Sequence, residues 1–337
     1  MINLLLMAAG VFIVAVLATA AVRFYAVKKQ ILDIPGERSS HSLPTPRGGG
    51  LGILVAVMGG LILLPITGNT VFLMPLIPGV LLALLCFWDD HGHIGFQYRL
   101  LAQLTAVIAL LFILGGAPWL TLFFWSLQDS LSVYILLVVT IVWFINLFNF
   151  MDGIDGIAGL ESVSICIGLM VLGFMSGQVG QYWFLSLVLL AACLGFLLWN
   201  FPRARIFMGD VGSVFCGYCL ALIFLLAGAQ SSILFWSGII LAGVFIVDAS
   251  VTLLVRLASG KKIWKAHRSH AYQHAARLYN SHIKISMTVT IINLCWLLPI
   301  ASLVLLEQLA PAWALVVAYA PLVGLAVWLN AGRAETT

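Results

Sequence analysis

Residues 131–159, LSVYILLVVTIVWFINLFNFMDGIDGIAG, decide the reading of the chain. Leu131–Leu147 is an apolar run without a charge, close to the length that crosses the hydrocarbon core of a bilayer. It ends in Asn146, Asn149, Asp152 and Asp155, one polar residue every three positions, with Gly153, Gly156 and Gly159 beside and after the acids. On a helix each three-residue step drifts only about 60° around the axis, so neighbouring members would share a face. Amides and acids are costly near lipid, so their gathering at a span end points to function.

The rest of the chain repeats this pattern. Of 337 residues, 63% are hydrophobic and 8% charged, against about 25% charged in a soluble domain. A soluble fold could not cover so much apolar surface. Disorder, a nucleic-acid-binding domain and a secreted disulfide scaffold are excluded. The expected fold is an all-α polytopic membrane protein, one domain over 1–337, with about eleven spans. The runs are Ile2–Val22, Gly50–Ile66, Phe72–Trp88, Leu100–Leu114, Leu131–Leu147, Leu160–Ser176, Tyr182–Trp199, Val211–Gly228, Ile233–Val255, Ile285–Leu306 and Trp313–Trp328. The first is too long for a signal-peptide core and is read as retained. Residues 115–130, broken by Gly115, Gly116 and Pro118, are expected to form a loop at the interface. The six cysteines fall within spans, so Cys216 and Cys219 are read as small packing residues.

Eleven spans place all 16 Lys and Arg on one side and leave only Asp129 and Glu307 as charges on the other. The positive-inside rule makes the basic side cytoplasmic, with the N-terminus periplasmic and the C-terminus cytoplasmic. All 7 histidines share the cytoplasmic side. The active site is therefore expected on cytoplasmic loops.

Four clusters carry chemistry there. Asp89 and Asp90 adjoin His91 and His93 at a span end, where a helix dipole disfavours carboxylates and paired acids call for a cation. Asn146, Asn149, Asp152 and Asp155 offer hard oxygens suited to Mg²⁺; polar glue between helices is the competing account. In the stretch from Asn200 to Ser213, Asp210 opens a helix and is either a ligand or its cap. Arg203 and Arg205 there bind phosphate or anchor the interface, and Phe207 stacks a base or faces lipid. In the loop from Arg256 to Lys284, His267, His270 and His274 would share one face if helical, and with Arg268 and the lysines they suit an anion better than zinc. A basic patch on anionic lipid is the alternative. The loop from Glu37 to Gly50 carries Arg47 and either covers a nucleotide or joins two helices. Asp248 sits inside a span and either lines a polar cavity or bonds a neighbouring helix.

These clusters, in this order at cytoplasmic span ends, resemble the polyprenyl-phosphate N-acetylhexosamine-1-phosphate transferases, and most of all the bacterial O-antigen-initiating type. The motifs are Asp89-Asp90, the run from Asn146 to Gly156, and Phe207-Met-Gly-Asp210-Val-Gly-Ser213; the likeness covers essentially the whole chain. It implies transfer of a sugar 1-phosphate from a UDP-amino sugar to undecaprenyl phosphate, with release of UMP. By that likeness Asp210 is the principal Mg²⁺ ligand with Asn149, Mn²⁺ being able to substitute. Asp89 and Asp90 stand near the lipid phosphate, Asp89 as its base. Asp152 and Asp155 stand on the nucleotide side with Asn146, and Phe207 lies near uracil. His267, Arg268 and His270 form the sugar-diphosphate loop, His267 counted among the catalytic residues. Arg47 and Arg99 are further substrate-binding residues. The expected partners are the UDP-N-acetylhexosamine, undecaprenyl phosphate and the bilayer of a bacterial cytoplasmic membrane; a homodimer is allowed and nucleic acid is not expected.

The peptidoglycan translocase of that superfamily carries adjacent histidines in its last catalytic loop. Here the loop reads His267-Arg-Ser-His270-Ala-Tyr-Gln273. That favours UDP-GlcNAc, UDP-FucNAc or UDP-QuiNAc over a muramoyl-pentapeptide donor, and cell-envelope polysaccharides such as O-antigen lipopolysaccharide over peptidoglycan. Two rivals are weaker. A CDP-alcohol phosphotransferase needs Ala-Arg after its first acids, and Ala158 is followed by Gly159. A secondary transporter puts its polar site near the midplane, usually with repeats.

Overall fold

The computed structural model describes residues 2–35, 43–62, 73–92, 94–118, 120–122, 125–127, 130–261 and 267–333. Of Asp90 and His91 only the backbone is described, and His41, His93, Asp129, Lys262 and Lys265 lie outside the described residues.

Every apolar run forms helix over its described part. The helices are α1 (Ile2–Lys28), α2 (Gly50–Ile62), α3 (Leu73–Gly92), α4 (Phe96–Ile113), α5 (Leu131–Phe150), α6 (Ile157–Met175), α7 (Gln181–Asn200), α8 (Gly209–Gln230), α9 (Ser232–Leu241), α10 (Gly243–Ala258), α11 (Ala271–Leu278), α12 (His282–Ile292), α13 (Leu298–Leu305) and α14 (Pro311–Trp328). A π turn, Asn293–Leu297, joins α12 to α13. Among the described residues eight helices are long and apolar enough to cross a membrane, and nine if α9 and α10, bent by 64°, are one broken span. The protein is an α-helical, multi-pass membrane protein.

Two short antiparallel ribbons depart from the expected all-α pattern. One pairs β1 (Leu32–Asp33) with β2 (Thr45–Pro46). The other pairs β3 (Leu120–Leu122) with β4 (Trp125–Leu127), where a plain loop was expected. The second is held from outside, since the Thr121 N–H donates to the Ser232 hydroxyl (2.8 Å) and the Trp236 indole to the Thr121 carbonyl (2.7 Å). Near lipid, unpaired backbone groups are costly, and the ribbon pairs them.

Helix α8 is the axis of the molecule. Every residue from Val211 to Leu225 is buried, and α8 packs against α2, α3, α5, α7 and α9. Its crossing with α2 is a backbone contact: a Cβ on Gly50 would lie 2.1 Å from the Gly212 Cα. Near Pro78 of α3, the Tyr218 hydroxyl donates to the Pro75 carbonyl (2.6 Å). Deep between α6 and the π turn, the Asn293 amide donates to Glu161 (2.6 Å) and to Ser164 (2.8 Å). The six cysteines form no disulfide; Cys86, Cys166, Cys193, Cys216 and Cys219 are buried and Cys295 is exposed.

This packing brings together the C-terminal ends of α3, α5 and α7 and the N-terminal ends of α2, α4, α6 and α8, with α11 among them.

Candidate active site

The second cluster does not stay on one helix. Helix α5 ends at Phe150, before the glycine-rich run that disfavours helix, and Asp152 and Asp155 stand in the loop that follows. Asn146 remains inside α5, turned to α4, where its amide and that of Gln103 donate to each other (2.6 and 3.3 Å). Asn146 thus ties α4 to α5, and it does not line the polar pocket described next.

That pocket, of about 240 Å³, is lined by Arg47, Asn149, Asp152, Asp155, Phe207 and Asp210, with Asp33, Asn200, Gln273 and His282. Asp210 lies in the first turn of α8, where a carboxylate suits the helix dipole. The N-cap position is Met208, not Asp210, whose oxygens face arginines. Arg47 donates to one (2.8 Å) and Arg99 to the other (3.0 Å). The second arm of Arg99 donates to Asp89 (2.9 Å), whose other oxygen accepts the Ile94 N–H. One charge chain, Asp89–Arg99–Asp210–Arg47, therefore joins three segments that are distant in sequence. Asn149, the penultimate residue of α5, donates to Ser213 on the next turn of α8 from Asp210 (2.8 Å).

Four carboxylates, Asp33, Asp152, Asp155 and Asp210, line this space. Burial pushes the Asp152 carboxyl up to about 7; Asp210 and Asp155 push the same way, and Arg47 opposes them. Asp155 is braced from behind: its carboxylate lies 3.4 Å from the His282 ring, and its carbonyl accepts from Ser286 (2.8 Å). Asn200 joins the two site loops, accepting the Gly156 N–H (2.9 Å) and donating to the Ile206 carbonyl (2.9 Å). Phe207 is set by backbone pairing, its N–H to the Pro46 carbonyl (2.8 Å) and its carbonyl to the Gly49 N–H (2.9 Å). A second cavity of about 570 Å³ shares Asp155, Phe207 and His282 with the first and adds Arg203 and Arg277.

The histidine loop is not one helical face. Helix α11 begins at Ala271, with His270 as its N-cap and His267 outside it. His270 is 4% exposed, stacked on His267 and Tyr272 with ring centroids 5.0 and 5.7 Å away. Burial, His270 and Arg256 push His267 down to about 3, so it is neutral. The Arg268 carbonyl accepts from Arg277 (3.1 Å). The structure does not bring His267, Arg268 or His270 into the lining of either polar cavity.

Four polar side chains that line the first pocket, Asp33, Asn200, Gln273 and His282, were not among the expected site residues. His282 and Asn200 were visible as polar residues on the basic side, but Asp33 and Gln273 carried no local signal.

Comparison with known proteins matches residues 72–228 to the family model described as Glycosyl transferase family 4. A probable undecaprenyl-phosphate N-acetylglucosaminyl 1-phosphate transferase of Bacillus subtilis is 29% identical over 84% of this chain and 80% of its own length. A decaprenyl-phosphate N-acetylglucosaminephosphotransferase of Mycobacterium tuberculosis is 28% identical over 82% of this chain and 76% of its own. A phospho-N-acetylmuramoyl-pentapeptide-transferase of Streptococcus pneumoniae is 29% identical over 67% of this chain and 72% of its own.

Proposed function

We propose that the chain belongs to the polyprenyl-phosphate N-acetylhexosamine-1-phosphate transferase superfamily and that it moves N-acetylhexosamine 1-phosphate from a UDP-sugar to undecaprenyl phosphate, releasing UMP. The observation that carries the reading is the Asp89–Arg99–Asp210–Arg47 chain at a polar pocket. Phosphoryl transfer asks for positioning and charge neutralisation more than for covalent catalysis, and two guanidinium groups alternating with two acids offer both.

Mg²⁺ fits the donor set. Among the described residues no three acids, histidines or cysteines converge into a ready cage. Mg²⁺ does not require one, since it commonly takes one or two carboxylates plus substrate phosphates. Asp210 and Asn149, with Asp152 across the pocket, supply hard oxygens of that kind. When bound, the ion supplies charge stabilisation for the diphosphate as UMP leaves.

The protein's own groups do the rest. Arg47 and Arg99 bind phosphate oxygens, Phe207 stacks the uracil, and Asp155 holds the nucleoside side. Asp89, at the far end of the charge chain, orients the lipid phosphate for in-line attack. That phosphate is already ionised at neutral pH, so a strong base is not required.

The donor is UDP-GlcNAc or a 6-deoxy relative such as UDP-FucNAc or UDP-QuiNAc, and the product starts an O-antigen or another envelope polysaccharide. Two relatives named for N-acetylglucosamine, covering 84% and 82% of this chain, support the first donor. The test is UMP release from each UDP-sugar by the purified protein. Release is expected only with both polyprenyl phosphate and Mg²⁺; no release with any of these donors rejects the reading.

In the bacterial inner membrane the proposed arrangement is eleven spans with the site cytoplasmic. A membrane-impermeant maleimide added to intact cells is expected to label Gln178→Cys, in the loop after α6, and not Asn280→Cys, between α11 and α12. The reverse pattern overturns the orientation.

A further inference from the structure

We propose that Asp248, in the middle of the broken α9–α10 span, is a positioning residue that holds the wall of the donor pocket; this role rests on the donor reading above. Asp248 is 5% exposed, yet its carboxylate is saturated, by Thr252 of its own helix and by donors from residues 270–272. One oxygen accepts the Ala271 N–H (2.9 Å), the Thr252 hydroxyl (3.1 Å) and the His270 ring (3.3 Å). The other accepts the Tyr272 N–H (2.9 Å). A membrane-span acid thus caps a cytoplasmic helix, satisfying N–H groups that a helix start leaves without partners.

The cap reaches the pocket through two side chains of α11. The Tyr272 hydroxyl donates to the Phe150 carbonyl (3.1 Å), the last residue of α5, and covers Gly153 so closely that a Cβ there would lie 2.1 Å from it. Gln273 lines the pocket while its side chain accepts the His270 N–H (3.2 Å). The order is Asp248, then the α11 start, then Tyr272 and Gln273, then the loop that carries Asp152 and Asp155. Asp248 touches neither polar cavity; it lines a separate, largely apolar one behind α11. Its effect on the reaction therefore runs through α11.

Asp248→Asn keeps the shape but turns one acceptor into a donor that faces N–H groups. In the full-length protein it is expected to raise the KM for the UDP-sugar about tenfold, with kcat and the KM for polyprenyl phosphate changed less than about threefold. Tyr272→Phe leaves the cap intact and removes the hydroxyl that bonds Phe150 and covers Gly153, so it is expected to raise the same KM by itself. Because both lie on one path, the double variant is expected to add nothing beyond Asp248→Asn. A fall in kcat with both KM values unchanged, or additive effects, overturns the role. If Asp248→Asn does not fold, an unchanged donor KM in Tyr272→Phe overturns it instead. Absence of UMP release by the unsubstituted protein removes the donor reading and this role together; release with an unshifted KM removes only this role.

Discussion

Asp210→Asn is expected to lower turnover about a thousandfold, the loss typical of removing one preorganised charge-stabilising group from a reaction centre. The substitution is isosteric, at a side chain that reaches the pocket, so the folded protein is expected to remain in the membrane. What changes is charge. Asp210 accepts from both Arg47 and Arg99. An amide in its place accepts through one oxygen and presents N–H to the other guanidinium. The pocket loses a hard anionic ligand at the moment its two cations lose their partner. UMP release by protein of unchanged elution and melting behaviour is the measurement. Full activity in Asp210→Asn removes it as the proposed metal ligand.

Spans and site loops were legible in the sequence because both are written locally. An apolar run is helical in a bilayer whatever it packs against, since its backbone has no other partner. Asp89, Asp152, Asp155 and Asp210 stood out because acids are rare in this chain and these lie at span ends. The periodicity of Asn146, Asn149, Asp152 and Asp155 misled, because a three-residue spacing implies a shared face only while the helix lasts, and α5 stops at Phe150. Asn146 then proved to be polar glue to Gln103. The histidine spacing misled likewise: Asp248, far back in the sequence, fixes where α11 begins. No local pattern encodes a cap supplied across such a distance, nor the convergence of Asp33, Gln273 and His282 on one pocket.

Gly50→Ala is expected to destabilise the protein by about 3 kcal/mol, the upper part of the range for overpacking. The added Cβ would lie 2.1 Å from the Gly212 Cα and 2.3 Å from its N. Both are backbone atoms, so no side chain can turn aside; α2 and α8 must separate. Immediately before Gly50 comes the segment that holds Arg47 on Asp210, fastened by the Gly49 N–H to the Phe207 carbonyl and the Gly50 N–H to the Met208 carbonyl (both 2.9 Å). Separation of the helices pulls at these bonds, so Arg47 is displaced from Asp210 and Phe207 from its place beside Asp155. Gly50→Ala should therefore lower the melting temperature in detergent and, in the fraction that remains folded, turnover as well. Gly10→Ala is the matched control, because nothing lies within 4 Å of a Cβ built there. A melting temperature for Gly50→Ala no lower than that of Gly10→Ala would show that α2 and α8 do not cross in backbone contact, and with it would go the account of how Arg47 is delivered to Asp210.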